Sequence, residues 1–269
     1  MNLAEIRESY IKDGLGYLDA SARTCQDVLL ALMAASPLAR NVTIKGGVVL
    51  QHLSRDSRRA TQDIDFDFIR YSIDNDSIRR FIKVLDQASD DVTLAITGAI
   101  EELRHQDYSG KRVRLRISDS VGTAIDTKLD IGVHKDADFS QEEYCFELGG
   151  MADSVTLLVN SKAQIVVEKL RSLLRIGAFS TRYKDVFDLY YLLVIEHVDV
   201  AALAKLMRKH IFEDDGFREN SMADVHRRLA NVLNSPQFVS RITSSKKNWI
   251  EIPYEVVAEE VLNQFSNRE

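Results

Sequence analysis

The chain has 269 residues, 45% of them hydrophobic and 28% charged, and a formal net charge of −6. That length suits one large domain or two ordinary ones, and the negative balance excludes a protein that coats nucleic acid non-specifically. Two cysteines, Cys25 and Cys145, provide neither a disulfide framework nor a zinc knuckle. The longest apolar run, 28–35, falls short of a membrane span. The first residues lack the basic and apolar regions of a signal peptide, so a cytoplasmic location without membrane attachment is expected.

With prolines only at 37, 236 and 253, the chain has few hard breaks. Residues 10–35 read as one or two helices ending near Ser36-Pro37. Residues 41–44 form a short strand, Gly46-Gly47 a turn, and 48–53 a helix whose Val49, Leu50 and Leu53 face a core. Residues 63–69 alternate as a strand, with Asp63, Asp65 and Asp67 on one face and Ile64, Phe66 and Phe68 on the other. Residues 77–87 form an amphipathic helix. Strands are expected over 92–100, 112–117 and 124–133, the last two joined by a turn at 119–122. From Ser161 the period changes to about 3.6, with helices expected over 163–176, 184–195, 200–210, 222–233 and 255–265. The fold class is therefore α/β or α+β, with a catalytic domain over 1–155 and a helical domain over 156–269.

Lys45-Gly46-Gly47 precedes Asp63-Ile64-Asp65-Phe66, with fifteen residues between the second glycine and Asp63. Glycines let a phosphate approach the backbone at a helix start. Carboxylates at i and i+2 of a strand share a face and suit Mg²⁺. The bland alternative is an exposed acidic edge strand. Asp67 lies one step further along and is not assigned to metal. A further carboxylate from a neighbouring strand is expected at Asp130, with Asp126 as its competitor and a solvated outer face as the alternative.

Lys169 borders an apolar helical stripe, where it either reaches a triphosphate or snorkels past the core. Asp185 and Asp188 share one helical face, and their structural alternative is pairing with Arg182 or Lys184 or favouring the helix N-terminus. Three basic clusters flank these positions: Arg55, Arg58 and Arg59; Lys111, Arg112, Arg114 and Arg116; and Lys162, Lys169, Arg171, Arg175, Arg182 and Lys184. They form either a phosphate-binding funnel or ordinary solvated faces. A Walker-type phosphate loop is absent from the sequence, and neither cysteine has an activating context.

Four motifs occur in order: Lys45-Gly46-Gly47; Arg59-x-Thr61-x-Asp63-Ile64-Asp65-Phe66; Glu168-Lys169-Leu170-Arg171-Ser172-Leu173; and Arg182 to Tyr190. Together, over residues 40–195, they resemble the AbiEii/AbiGii nucleotidyltransferase toxin family of the DNA polymerase β-like superfamily. The resemblance implies a minimal nucleotidyltransferase fold with a mixed sheet, followed by helices. It further implies the toxin half of a toxin–antitoxin or phage-defence system, using an NTP donor with Mg²⁺ or Mn²⁺. The implied acceptor is RNA, at the 3′ end of tRNA, and the implied partner is a winged-helix antitoxin. By position it makes Asp63 and Asp65 the metal pair, and Gly46-Gly47, with Lys45, Arg59 and Thr61, the nucleotide-binding segment. Lys169 then contacts the triphosphate, and Asp185 completes the catalytic set. Two rivals stay open: transfer to a protein or small molecule, and a non-catalytic nucleotide- or partner-binding role.

Overall fold

The acidic segment lies in the middle of a sheet. The computed structural model describes residues 1–103, 110–133, 141–151 and 154–266, which divide into two units, Met1–Asn160 and Ser161–Glu269. In the first unit the strands are β1 (Val42–Ile44), β2 (Ile64–Phe68), β3 (Val92–Ile96), β4 (Glu101–Leu103), β5 (Gly110–Asp119), β6 (Ala124–Val133), β7 (Gln141–Phe146) and β8 (Val155–Asn160). They order as β3-β5-β6-β2-β1-β8-β7, with β4 on β5. β2 runs parallel to β6 and antiparallel to β1, and β1 runs parallel to β8. The sheet is mixed, as expected. The division falls after Asn160 rather than at 155, because residues 155–160 are β8, paired to both β1 and β7.

Four helices accompany the sheet: α1 (Leu3–Lys12), α2 (Tyr17–Ala35), α3 (Gly46–Ser54) and α4 (Asn75–Asp86). The Asp13-Gly14 break between α1 and α2 uses a backbone φ of +94° at Gly14, which a side chain would resist. Asp74 caps α4 by accepting from the Ser77 amide at 2.7 Å. The apolar face of β2 meets α4 directly: the Phe81 ring lies 5.5 Å from that of Phe66 and 4.9 Å from that of Phe68. All three phenylalanines are buried, each burial worth about 1.5–3 kcal/mol. Val28, Leu29, Leu32 and Met33 of α2 extend this core.

The second unit is helical: α5 (Lys162–Ile176), α6 (Tyr183–Tyr190), α7 (Val200–Met207), α8 (Met222–Leu233), α9 (Pro236–Ser244) and α10 (Tyr254–Ser266). α6 and α7 each run on into one wider turn, at Tyr191–Ile195 and Arg208–Phe212. Ser161 caps α5 through the Gln164 amide, and Gly177, with φ +64°, ends it. Leu170, Leu173, Leu189, Leu203, Leu229 and Val257 are all buried, so the helices form one apolar interior. α10 packs on α6 and α8, and α5 on α7.

Candidate active site

In the first unit, β1 delivers the chain to Lys45 and the diglycine. The Lys45 amide donates to the Asp65 carbonyl at 3.0 Å, which pins the turn to the acidic strand. Gly46 opens α3 with φ +55°, and a Cβ added there would meet Asp65 Oδ2 at 3.5 Å. A Cβ at Gly47 would stand 2.6 Å from Thr61 Oγ1 and 2.9 Å from its Cβ. Each glycine thus has its own structural cause: a left-handed backbone at 46 and the press of Thr61 at 47. Lys45, the N-cap, makes no side-chain cap bond to α3.

The carboxylates have distinct surroundings. Asp65 is the register partner of Asp130 across the parallel β2–β6 pair. Both oxygens of Asp130 are taken by Arg112 of β5, with Nε at 2.7 Å and Nη2 at 2.6 Å. That fork holds the Arg112 guanidinium charged well above its ordinary range, the Asp130 hydrogen bonds being the largest cause. Asp63, immediately before β2, pairs with Lys128 at 2.8 Å with both side chains 39% exposed. Asp67 is buried and pairs with Lys45 Nζ at 2.9 Å. Asp126, the alternative to Asp130, is exposed and pairs with Arg116 at 2.7 Å.

These contacts bear on the expected site. Asp130 does stand beside Asp65, but as the partner of Arg112. Among the described residues no three His, Cys, Asp or Glu side chains gather to hold a metal, so the triple of Asp63, Asp65 and Asp130 does not form. Lys45 pairs with buried Asp67, and Arg59 is only 3% exposed. The expected phosphate funnel on β5 is also largely neutralised. Lys111 pairs with Glu102, Arg112 with Asp130, Arg114 with Glu101 and Arg116 with Asp126. Alternation put Arg112, Arg114 and Arg116 on one face of β5 and Lys111 on the other, and carboxylates of β4 and β6 lie beside each of them.

What remains fits Mg²⁺. This ion takes one or two carboxylates and fills its shell with water and phosphate oxygens. Asp63 and Asp65 supply two hard oxygen donors, and Asp63 already holds a cation in the form of the Lys128 ammonium.

In the second unit, Lys169 of α5 is 9% exposed and its Nζ lies 2.7 Å from Asp185 and 2.7 Å from Asp188 of α6. The two aspartates therefore converge on Lys169. Asp188 is fully buried and its Oδ1 accepts from the Trp249 indole N–H at 3.1 Å. Asp185 Oδ2 is buried without a hydrogen-bond partner. Arg112, Lys128 and Trp249 were missed as members of these clusters. Only the register of β5, β6 and β2 brings the first two in, and Trp249 lies 61 residues beyond Asp188.

A family model described as nucleotidyl transferase AbiEii toxin, type IV toxin–antitoxin system, matches residues 27–248. A search of curated proteins finds no match to the chain.

Proposed function

Because the chain belongs to the AbiEii nucleotidyl transferase toxin family of type IV toxin–antitoxin systems, we propose that it transfers the NMP of an NTP to the 3′-hydroxyl of an RNA, with tRNA as the target. The observation that carries this reading is the contact of turn and strand: Gly46 abuts Asp65 Oδ2, so a phosphate held at the start of α3 would lie beside a carboxylate.

Asp63 and Asp65 would hold Mg²⁺, which when bound offsets negative charge on the triphosphate. Gly46 and Gly47 present the first backbone amides of α3 to phosphate oxygens, where the helix dipole favours an anion. Lys169 brings a point charge to the triphosphate. Asp185 keeps one unshared oxygen to accept a hydrogen bond from a substrate hydroxyl. The hydroxyl oxygen attacks the α-phosphorus in line, a new P–O bond forms and pyrophosphate leaves. Positioning and fixed charge carry the acceleration in such transfers. The partner is an antitoxin, proposed as a winged-helix regulator on the family resemblance. The paired cations of β5 weaken one argument for RNA, so the choice of tRNA rests on the same resemblance.

The test is transfer of α-³²P label from each of the four NTPs to total RNA with Mg²⁺, comparing wild type with Asp65→Ala. A labelled tRNA-sized band that vanishes in the variant supports the reading and names the donor. Label in protein instead replaces RNA with a protein acceptor. A wild type that labels nothing, or a variant as active as wild type, overturns it.

A further inference from the structure

The geometry points to Asp188 and Trp249 as positioning residues for Lys169, a role that rests on the assignment of Lys169 to the triphosphate. A lysine ammonium rides on a flexible four-carbon stem and is not placed by its own geometry. Here two carboxylates, each 2.7 Å from Nζ, fix it. They are not equivalent. Asp188 lies fully buried with one oxygen on the ammonium and the other on the Trp249 indole N–H. Trp249 is itself 4% exposed and packed on Tyr191, with ring centroids 5.4 Å apart. Its direction is therefore set by packing, and it passes that direction to Asp188.

Asp185, by contrast, touches Lys169 through Oδ1 and leaves Oδ2 with no hydrogen-bond partner. The ammonium is shared by two carboxylates in a nearly closed space. Asp188 is the fixed anchor and Asp185 the exchangeable contact. When phosphate oxygens draw on the ammonium, Lys169 can release Asp185 and stay tethered at Asp188. Trp249 thereby ties the segment after α9 to the placement of a charge on α5.

Three variants test this in the full chain: Asp188→Asn, Trp249→Phe and, as a structural control, Tyr254→Phe. The control removes a buried hydrogen bond, Tyr254 to the Leu233 carbonyl at 2.6 Å, in the same unit. Asp188→Asn retains an acceptor for the indole, so it is expected to fold. Misplacing the ammonium should raise KM for the NTP about tenfold or more in both Asp188→Asn and Trp249→Phe, with active-site-corrected kcat moving less. Tyr254→Phe should lower Tm with KM unchanged. The chain has a single tryptophan. Nucleotide titration followed by its emission should therefore give a saturable change in wild type and require about tenfold more NTP in Asp188→Asn. If Asp188→Asn and Trp249→Phe lower Tm but leave KM as in wild type, and Asp188→Asn also leaves the fluorescence titration as in wild type, the positioning role is overturned and the functional reading stands. If wild type itself binds no NTP, the functional reading falls and the positioning role with it.

Discussion

Asp65 and Asp130 are register partners on the parallel strands β2 and β6, and Arg112 of β5 closes on Asp130 from the other side with two short contacts. Charge on this row runs carboxylate, carboxylate, guanidinium across three adjacent strands. Arg112 offsets one of two like charges that the sheet would otherwise hold side by side. Arg112→Met should therefore destabilise the first unit by about 1–3 kcal/mol, since Asp130 is nearly buried. Arg112→Met with Asp130→Leu should recover most of that loss, read as Tm or denaturant midpoint. A larger loss in the double variant would show that Arg112 does something beyond answering Asp130.

Asp130→Asn also separates structure from chemistry. With both oxygens committed to Arg112, the carboxylate is a scaffold, so the amide should retain at least about a tenth of the transfer activity. Asp65→Ala should lose at least about a thousandfold, the scale expected when a positioned charge is removed from phosphoryl transfer. Equal losses in the two variants would return Asp130 to the metal.

Lys128 competes for Asp63. Its ammonium sits 2.8 Å from the carboxylate, with both side chains 39% exposed. Lys128→Met should lower the Mg²⁺ concentration for half-maximal transfer several-fold, because a cation need no longer be displaced. Chelation should abolish transfer in both proteins. An unchanged or raised Mg²⁺ requirement would place the metal away from Asp63.

The two glycines should respond differently to alanine. At Gly46 there is room but φ is +55°, a strain of about 1–2 kcal/mol for a residue with a Cβ. At Gly47 the new methyl lands 2.6 Å from Thr61 Oγ1, an overpacking cost of about 1–3 kcal/mol. Thr61→Gly should rescue Gly47→Ala and leave Gly46→Ala as it was. Thermal denaturation of the four proteins decides this.

Stability against pH has two opposed contributors in the first unit. Burial holds His52 down from 6.5 to about 3, with Arg23 adding to the effect. The stability this neutral imidazole supplies is complete above pH 6.5 and is lost as pH falls. Burial pushes Asp27 up from 3.8 to about 6, against the opposing pull of Arg23. Its folded carboxyl gains a proton first, so stability rises as pH falls through about 6 and is lost as pH rises. Between pH 6.5 and 5 each contributes on the order of 1–2 kcal/mol with opposite sign, and they nearly cancel. Asp27→Asn removes one side, and its urea stability should fall by about that amount over this interval while wild type changes little. A flat profile in Asp27→Asn would mean that His52 takes up no proton on unfolding.

Long helices were legible where period and caps agree. Met222–Leu233 emerges at its expected bounds because Ser221 caps a clear amphipathic stripe, and Ala124–Val133 does so because alternation is strict. Five elements were not anticipated, the three-residue β4 among them. β8 holds only a three-residue apolar run, Leu157 to Val159, beside β1, too short for periodicity to separate a buried parallel strand from a domain boundary. β7 is a short, largely exposed edge. α1 carries only Leu3, Ile6 and Tyr10 as its buried side, and α9 announces itself mainly by Pro236 at its first turn. At the site, the diglycine and the alternating aspartates could be read because they depend on neighbours in sequence. Lys45–Asp67, Arg112–Asp130, Lys128–Asp63 and Asp188–Trp249 could not, since each pairing exists only once strand order or helix packing is set.

The alternation of β2 ties inheritance of the chemistry to inheritance of the fold. Phe66 is wholly buried and Asp65 points the other way, so a one-residue insertion or deletion upstream in β2 would exchange them. Carboxylates would enter the phenylalanine cluster and phenyl rings would emerge at the turn. Such a chain fails to fold before it can fail to react. Under the proposed assignment, point changes at Asp63 or Asp65 are then the simplest way to silence the protein while it stays folded, and frame-preserving drift elsewhere in the strand is filtered by the core itself.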